Sequence, residues 1–145
     1  MRIVIQRVSS ASVTADNSVI GSIQQGLVIF LAIHKDDTEE KIEKMVDKII
    51  KLRIFEDHDS KMNQSIIDIK GEILLISQFT LYGDTSRGNR PSFIEAANPE
   101  KAKIYYEKCI TALKTKNLLV ATGRFRTSMS VELVNDGPTT LIINL

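Results

Sequence analysis

The run "LVIFLAI" at residues 27–33 constrains this chain more than any other stretch. It is too continuously apolar for a strand with one face in water, so it is expected as a central strand buried on both faces. Covering both faces takes further layers, and the chain supplies candidates for them. Residues 2–8 and 11–14 read as short strands, and 18–24 pairs with 27–33 through a turn at Gln25-Gly26. Residues 72–81, "EILLISQFTL", make another strand, and 118–121, 129–134 and 139–144 finish the set.

Two helices stand between these strands. Asp37 and Glu40 have capping-box spacing, and Ile42, Met45, Val46, Ile49 and Ile50 then recur at helical intervals as one apolar stripe. Asn98 followed by Pro99 marks the start of the second helix, whose buried stripe is Ala102, Tyr105, Tyr106, Cys109 and Leu113. The segment "EDHDSKMNQS" is rich in turn formers and reads as mobile, whereas residues 82–98 read as a long ordered loop. The expected fold is α/β with α+β-like character, a mixed or antiparallel sheet or pseudo-barrel carrying two long helices. Its 145 residues suit a single domain, 1–145.

The last strands raise a separate question. Asn135-Asp136-Gly137 between β-branched runs is a strong hairpin signal, yet Pro138 stands where the returning strand should begin. Proline gives no N–H to a ladder and readily takes a cis peptide bond.

Composition excludes several classes of function. Net charge is +1, so contact with a polyanion must come from a local patch. Cys109 is the one cysteine, which excludes an intrachain disulfide and a cysteine metal cluster. The start "MRIVIQRVSSASV" is neither a secretory signal nor a transmembrane span, so a cytosolic protein is the default expectation.

The common catalytic motifs are missing: there is no GxSxG, no Walker A loop and no HExxH. His34, between a buried strand and a helix, reads as structural or solvent-facing. His58 between Asp57 and Asp59 reads as part of a solvated acidic loop rather than a metal site. Cys109, on an apolar stripe, reads as a small buried hydrophobe.

Polarity switches on at the end of the "ILLI" run. In an extended strand Gln78 and Thr80 share a face, with Ser77 and Phe79 on the other. Such a strand end can be a site that positions polar substrate groups, or an edge that meets water; the residues support both. Thr80 as a nucleophile would need a base that the motif does not provide. Arg87 and Arg90 around Gly88 could contact phosphates, although a solvated loop is the plainer reading.

"SQFTL" at 77–81 together with "NDGPTT" at 135–140 resembles the paired signature of D-aminoacyl-tRNA deacylases. The likeness continues in order through "MRIVIQRV", "GLVIFLAIHKDD", "KIIKLRIFED", "KMNQS", "RGNRPSF" and "AANPEKA", and so covers essentially the whole chain. It implies that family's fold and an enzyme hydrolysing the ester between a D-amino acid and the 3′-terminal adenosine of tRNA. Glycine mischarged onto tRNA for alanine would be cleared as well. It also implies a cytoplasmic homodimer without cofactor or metal, whose partners are aminoacyl-tRNA and no membrane.

Carried over residue by residue, Ser77, Gln78, Phe79 and Thr80 become the catalytic pocket floor. Gly137 and Pro138 become a cis pair reaching into the partner subunit's pocket to select chirality. Arg7 matches the arginine that fixes that pair, and Met129 matches a methionine of the same region. Arg87, Arg90 and Arg126 become candidate tRNA contacts. The 2′-hydroxyl of the terminal adenosine would assist water, with backbone N–H groups near Phe79 and the Gln78 amide stabilising the oxyanion.

The chain departs from the family pattern at "GRFRTSM", where Arg126 and Thr127 replace Gly and Ala, and at Thr139, where valine is usual. If that glycine served a positive φ, the local turn should differ here. Arg126 would add a phosphate contact or restrict the pocket. Two other readings are a non-catalytic tRNA 3′-end-binding module and a covalent acyl hydrolase using Thr80 or Ser77.

Overall fold

A computed structural model describes residues 1–145. Its elements run β1 (Arg2–Ala15), β2 (Ser18–Ile23), β3 (Gly26–Ala32), α1 (Glu40–Lys51), β4 (Phe55–Glu56), β5 (Met62–Gln64) and β6 (Glu72–Ser77). A 3-10 turn (Phe79–Tyr82), α2 (Pro99–Lys114), β7 (Val120–Thr122) and β8 (Ser130–Asn144) complete the chain.

The main sheet has the order β2-β1-β3-β6-β7, with β8 on the other edge of β1. Pairings β3–β6 and β6–β7 are parallel, as crossovers through a helix require, and the others are antiparallel. The N-terminal half of β1 pairs with β3 and its C-terminal half with β2. The sheet therefore curls until β2 touches β6 and β7, giving a nearly closed barrel.

β3 is central, as its apolarity requires. Leu27, Ile29 and Leu31 face a core cluster shared with α1 and α2, while Val28 faces a second cluster inside the barrel with Val8, Val13, Leu74 and Ile76. Ile42, Met45, Val46 and Ile49 bury the stripe of α1, with Ile50 at its margin. Tyr106, Cys109, Ala112 and Leu113 bury that of α2, with Ala102 and Tyr105 partly covered. No helix is long and apolar enough to cross a membrane.

Close approach fixes the β3–β6 junction. A Cβ built on Gly26 would lie 1.9 Å from the Glu72 carbonyl oxygen, its parallel partner in the ladder. Backbone cannot yield there as a flexible side chain would. Gly26→Ala is expected to cost about 2–3 kcal/mol, read as a lower urea midpoint at unchanged m.

Five expectations need correction. Residues 18–24 and 27–33 do not pair with each other: β2 and β3 lie along the same edge of β1, and each pairs with β1. Residues 2–8 and 11–14 form one strand, β1. The strand from Glu72 ends at Ser77, and the chain then turns through the 3-10 segment, so "QFTL" is not extended. The segment expected to be mobile holds the β4–β5 hairpin, where the Asp57 carboxylate accepts from the Asp59 and Lys61 amides and from Asn63 Nδ2. Asp37 does not cap α1: Glu39 holds that place without a side-chain bond, and Asp37 Oδ1 accepts from the Met1 ammonium at 2.6 Å. The second helix starts as expected, with Asn98 Oδ1 accepting from the Lys101 amide at 2.9 Å.

The largest correction concerns "VNDGPTT". No hairpin forms there. β8 is one strand, and both of its halves pair with β1. Gln6 lies opposite Thr140 and Val8 opposite Asn135, so residues 136–139 stand against Arg7 alone. The segment is a large bulge. Asp-Gly supplied the local chemistry of a turn, but β1 is long enough to pair with the residues beyond the bulge as well as with those before it.

Candidate active site

The bulge is held from below. Arg7 is 3% exposed, and its guanidinium donates to Ile54 O at 2.6 Å, Asp136 O at 3.2 Å and Gly137 O at 3.4 Å. The same group pairs with the Asp136 carboxylate at 2.9 Å, and Glu56 lies at 3.8 Å. Gln6 Nε2 bridges Asn135 Oδ1 and Thr140 Oγ1 across the neck. Fixed from both sides, the bulge exposes Gly137 and Pro138, joined by a cis peptide, and buries Thr139. Thr139 Oγ1 is buried at the base without a partner.

A cleft of ≈ 730 Å³ opens elsewhere, where β6 ends. Ile76, Ser77, Gln78 and Phe79 form one side, and Phe93 with Ala96, Ala97, Pro99 and Ala102 form the wall toward the start of α2. The segment from Phe125 to Met129 and Val131 of β8 close it. The chain enters the cleft because Gln78 N still donates to Leu31 O at 2.8 Å, after which Leu81 N donates back to Gln78 O and bends it. Gln78 Nε2 reaches Thr80 Oγ1 at 2.5 Å, so the two side chains meet through the turn and not through strand alternation. As first residues of that turn, Phe79 and Thr80 have no acceptor within it for their N–H groups. Phe79 is half exposed and stacks edge-on against Phe93 at 5.0 Å.

Among the lining residues Arg126 carries the one formal charge; none is His, Asp or Glu. The cleft therefore offers donors and apolar walls but no general base. Cys109 is no substitute, since burial pushes its thiol up to about 12. His34 is engaged with Glu95 at 3.0 Å and edge-on with Tyr82, and His58 is exposed. No cluster of three His, Cys, Asp or Glu side chains is placed to hold a metal ion.

The fold thus distributes the residues singled out in the sequence between two places. Ser77, Gln78, Phe79, Met129 and Arg126 line the cleft, with Thr80 bonded just behind. Gly137, Pro138 and Arg7 are at the bulge. Val131 lines the cleft, and Gly137 lies six residues further along extended β8, roughly 20 Å away. Arg87 and Arg90 sit exposed on the loop that returns through Phe93. Arg126 holds φ +57, so the turn here is left-handed with an arginine in it, at a cost of about 1 kcal/mol.

The family model described as D-Tyr-tRNA(Tyr) deacylase matches residues 4–144. The chain belongs to this deacylase family. A protein of Thermotoga petrophila named D-aminoacyl-tRNA deacylase is 54% identical over 144 residues, covering 99% of this chain and 97% of that one. One of the same name from Clostridioides difficile is 50% identical with the same coverage. Among solved structures, one named c-Myc DNA Unwinding Element Binding Protein superposes with a TM-score of 0.94 at 38% identity, covering 100% of this chain and 99% of that one. A structure described as a probable eukaryotic D-amino acid tRNA deacylase shares the fold at TM-score 0.86 and 15% identity, covering 99% and 98%.

Within the family frame, the walls that sequence reasoning passed over are Phe93, Ala96, Ala97 and Phe125. The signal for Phe93, Ala96 and Ala97 was indirect, a long polar loop running into the Asn98-Pro99 helix start; Phe125 lies outside it, between β7 and β8.

Proposed function

We propose that the protein hydrolyses the ester of D-aminoacyl-tRNA, releasing tRNA and the D-amino acid, and that it also clears glycine from tRNA for alanine. The observation that carries this reading is a cleft with a polar floor and no base. Water attack at an ester needs positioning and oxyanion donors, which Gln78 and the amides at the start of the 3-10 turn supply. The base is missing from the protein because the 2′-hydroxyl of the terminal adenosine assists the water. Thr80 then orients Gln78 and is not a nucleophile.

Selection of the D enantiomer belongs to the bulge. Gly137 and Pro138 present carbonyls and little side chain, and they lie too far along β8 to enter their own cleft. The exposed Val134 and Ile142 flank the bulge on β8 and form an apolar surface for a second copy of the chain. In the resulting homodimer each bulge enters the partner's cleft, binds the substrate amino group and leaves no room for an L side chain. A clash of ~4 kcal/mol gives about a thousandfold discrimination. Arg87 and Arg90 guide the acceptor end from the loop above. The compartment is the cytoplasm, where aminoacyl-tRNA is found.

The deciding experiment compares hydrolysis of D-tyrosyl-tRNA and L-tyrosyl-tRNA by the pure protein. About a thousandfold preference for the D ester is expected, and equal rates or no D turnover would sink the reading. Thr80→Ala is expected to keep most activity; its complete loss would favour covalent catalysis instead. A second reading, a nucleic-acid-binding module on the same fold, draws on the name of the 38%-identical neighbour. It is favoured if tRNA binds without turnover.

A further inference from the structure

We propose that Arg126 reads the phosphodiester linking the terminal adenosine to the nucleotide before it, an inference that rests on the aminoacyl-tRNA reading above. Most arginines of the chain have partners. Arg2 donates to Asn144 and Leu81, Arg7 holds the bulge, Arg53 donates to Asn63, and Arg124 pairs with Asp16. Arg87, Arg90 and Arg126 have none, and of these Arg126 alone lines the cleft, as the one charge on a surface otherwise apolar or neutral. An unpaired guanidinium on such a surface is a site for an oxyanion, and its fork suits phosphate.

Its placement separates phosphate from the other anion a substrate could bring, an acidic side chain. Ser77 and Gln78 are half-buried, whereas Arg126 and Phe79 are exposed at the mouth. The ester must reach the polar floor, so the amino acid enters first and the nucleic acid trails past the mouth. The first phosphodiester lies there, beside Phe79, whose exposed ring can take a base face.

The backbone supports a fixed position. Arg126 is held at φ +57 within a turn braced by Arg124 N donating to Met129 Sδ and by Thr127 Oγ1 reaching Phe125 O. Asp16, the carboxylate this turn reaches, is taken by Arg124. Nothing in the cleft competes with a phosphate for the guanidinium.

The test uses two synthetic 3′-esters of D-tyrosine: one on adenosine, without phosphate, and one on the dinucleotide CpA, with a single phosphodiester. Wild type, Arg126→Gln and Arg126→Lys are assayed for kcat and KM. The Gln variant is expected to suffer a penalty about tenfold larger on CpA than on adenosine, mainly in KM, with Lys restoring part of it. The salt slope of CpA binding should fall by about 0.7 in the Gln variant. Equal penalties on both esters, or no penalty on either, would overturn the assignment. So would a penalty confined to D-aspartyl over D-asparaginyl adenosine, which would place the anion on the amino acid. Should wild type hydrolyse neither D-tyrosyl ester, the D-tyrosyl-tRNA comparison above decides the deacylase reading separately. Binding of CpA against adenosine, with and without Arg126, then upholds the phosphate contact if the Gln variant loses the difference and overturns it if the difference remains.

Discussion

Asp37→Ala is expected to lower stability by about 4 kcal/mol and the melting temperature by roughly 10 °C, without touching the cleft. The Asp37 side chain is fully buried, and three donors converge on it: the Met1 ammonium at 2.6 Å, the Lys41 ammonium at 2.9 Å and the His34 amide at 2.7 Å. Truncation leaves the buried Met1 ammonium with only the Leu145 carbonyl as acceptor and the part-buried His34 N–H with none, so their desolvation is no longer fully offset. Asp37→Asn keeps two acceptor lone pairs but no charge, so it should lose less.

The same group contributes to the acid limb. Burial pushes the Asp37 carboxyl up, but the Met1 ammonium, the His34 amide and Lys41 together outweigh it and hold it below its usual 3.8. The folded chain therefore binds fewer protons here than the unfolded one. Stability from Asp37 is complete above the unfolded value and is lost as pH falls through the lower folded value. Burial acts on the Met1 amine in the opposite chemical sense, lowering it from 8.0 against the pull of Asp37. That group alone adds stability as pH rises toward 8.0. Urea unfolding across the acid range and up through neutrality checks both: wild type should weaken in acid, and Asp37→Asn should lose the share of that limb that Asp37 supplies.

How much of this was legible depends on where each interaction partner lies in the sequence. The continuous apolarity of residues 27–33 fixed β3 at the centre, and Asn98-Pro99 fixed the start of α2, because both signals are local. Asp37 carried a cap-like spacing, yet its carboxylate was claimed by Met1, which no local pattern announces. "NDGPTT" failed in the same way: its turn chemistry is real, but β1 decides whether it reverses or bulges. Ser77 and Gln78 do line the cleft, but the switch in polarity after an apolar strand left site and solvent edge equally open, and only the resemblance chose between them. The pairing of Gln78 with Thr80 was expected for the wrong reason, strand alternation, and arises from the 3-10 turn. The remaining cleft walls come from two further segments, 93–102 and 125–131, that only the tertiary fold brings to the end of β6.

Arg7→Ala should have the largest effect on function, although Arg7 lies far from its own cleft. Removing the guanidinium leaves Ile54 O and Gly137 O without their donor and Asp136 without its counter-charge. A loss of about 3 kcal/mol is expected, with a larger fall in activity, at least a hundredfold, because the bulge loses its fixed position. Arg7→Lys should recover some stability but little activity, since one ammonium cannot span Ile54 O and Gly137 O as the fork does. If the bulge works in the partner's cleft, Arg7→Ala and Gln78→Ala should complement each other. Each is inactive alone, the first through its bulge and the second through its floor. In a mixed dimer the intact floor of one chain meets the intact bulge of the other, forming one complete site of two. With random mixing half the dimers are of this kind, so about a quarter of wild-type turnover should return. No recovery after unfolding and refolding the mixture would mean that bulge and cleft belong to one chain, and the two-subunit site would fall.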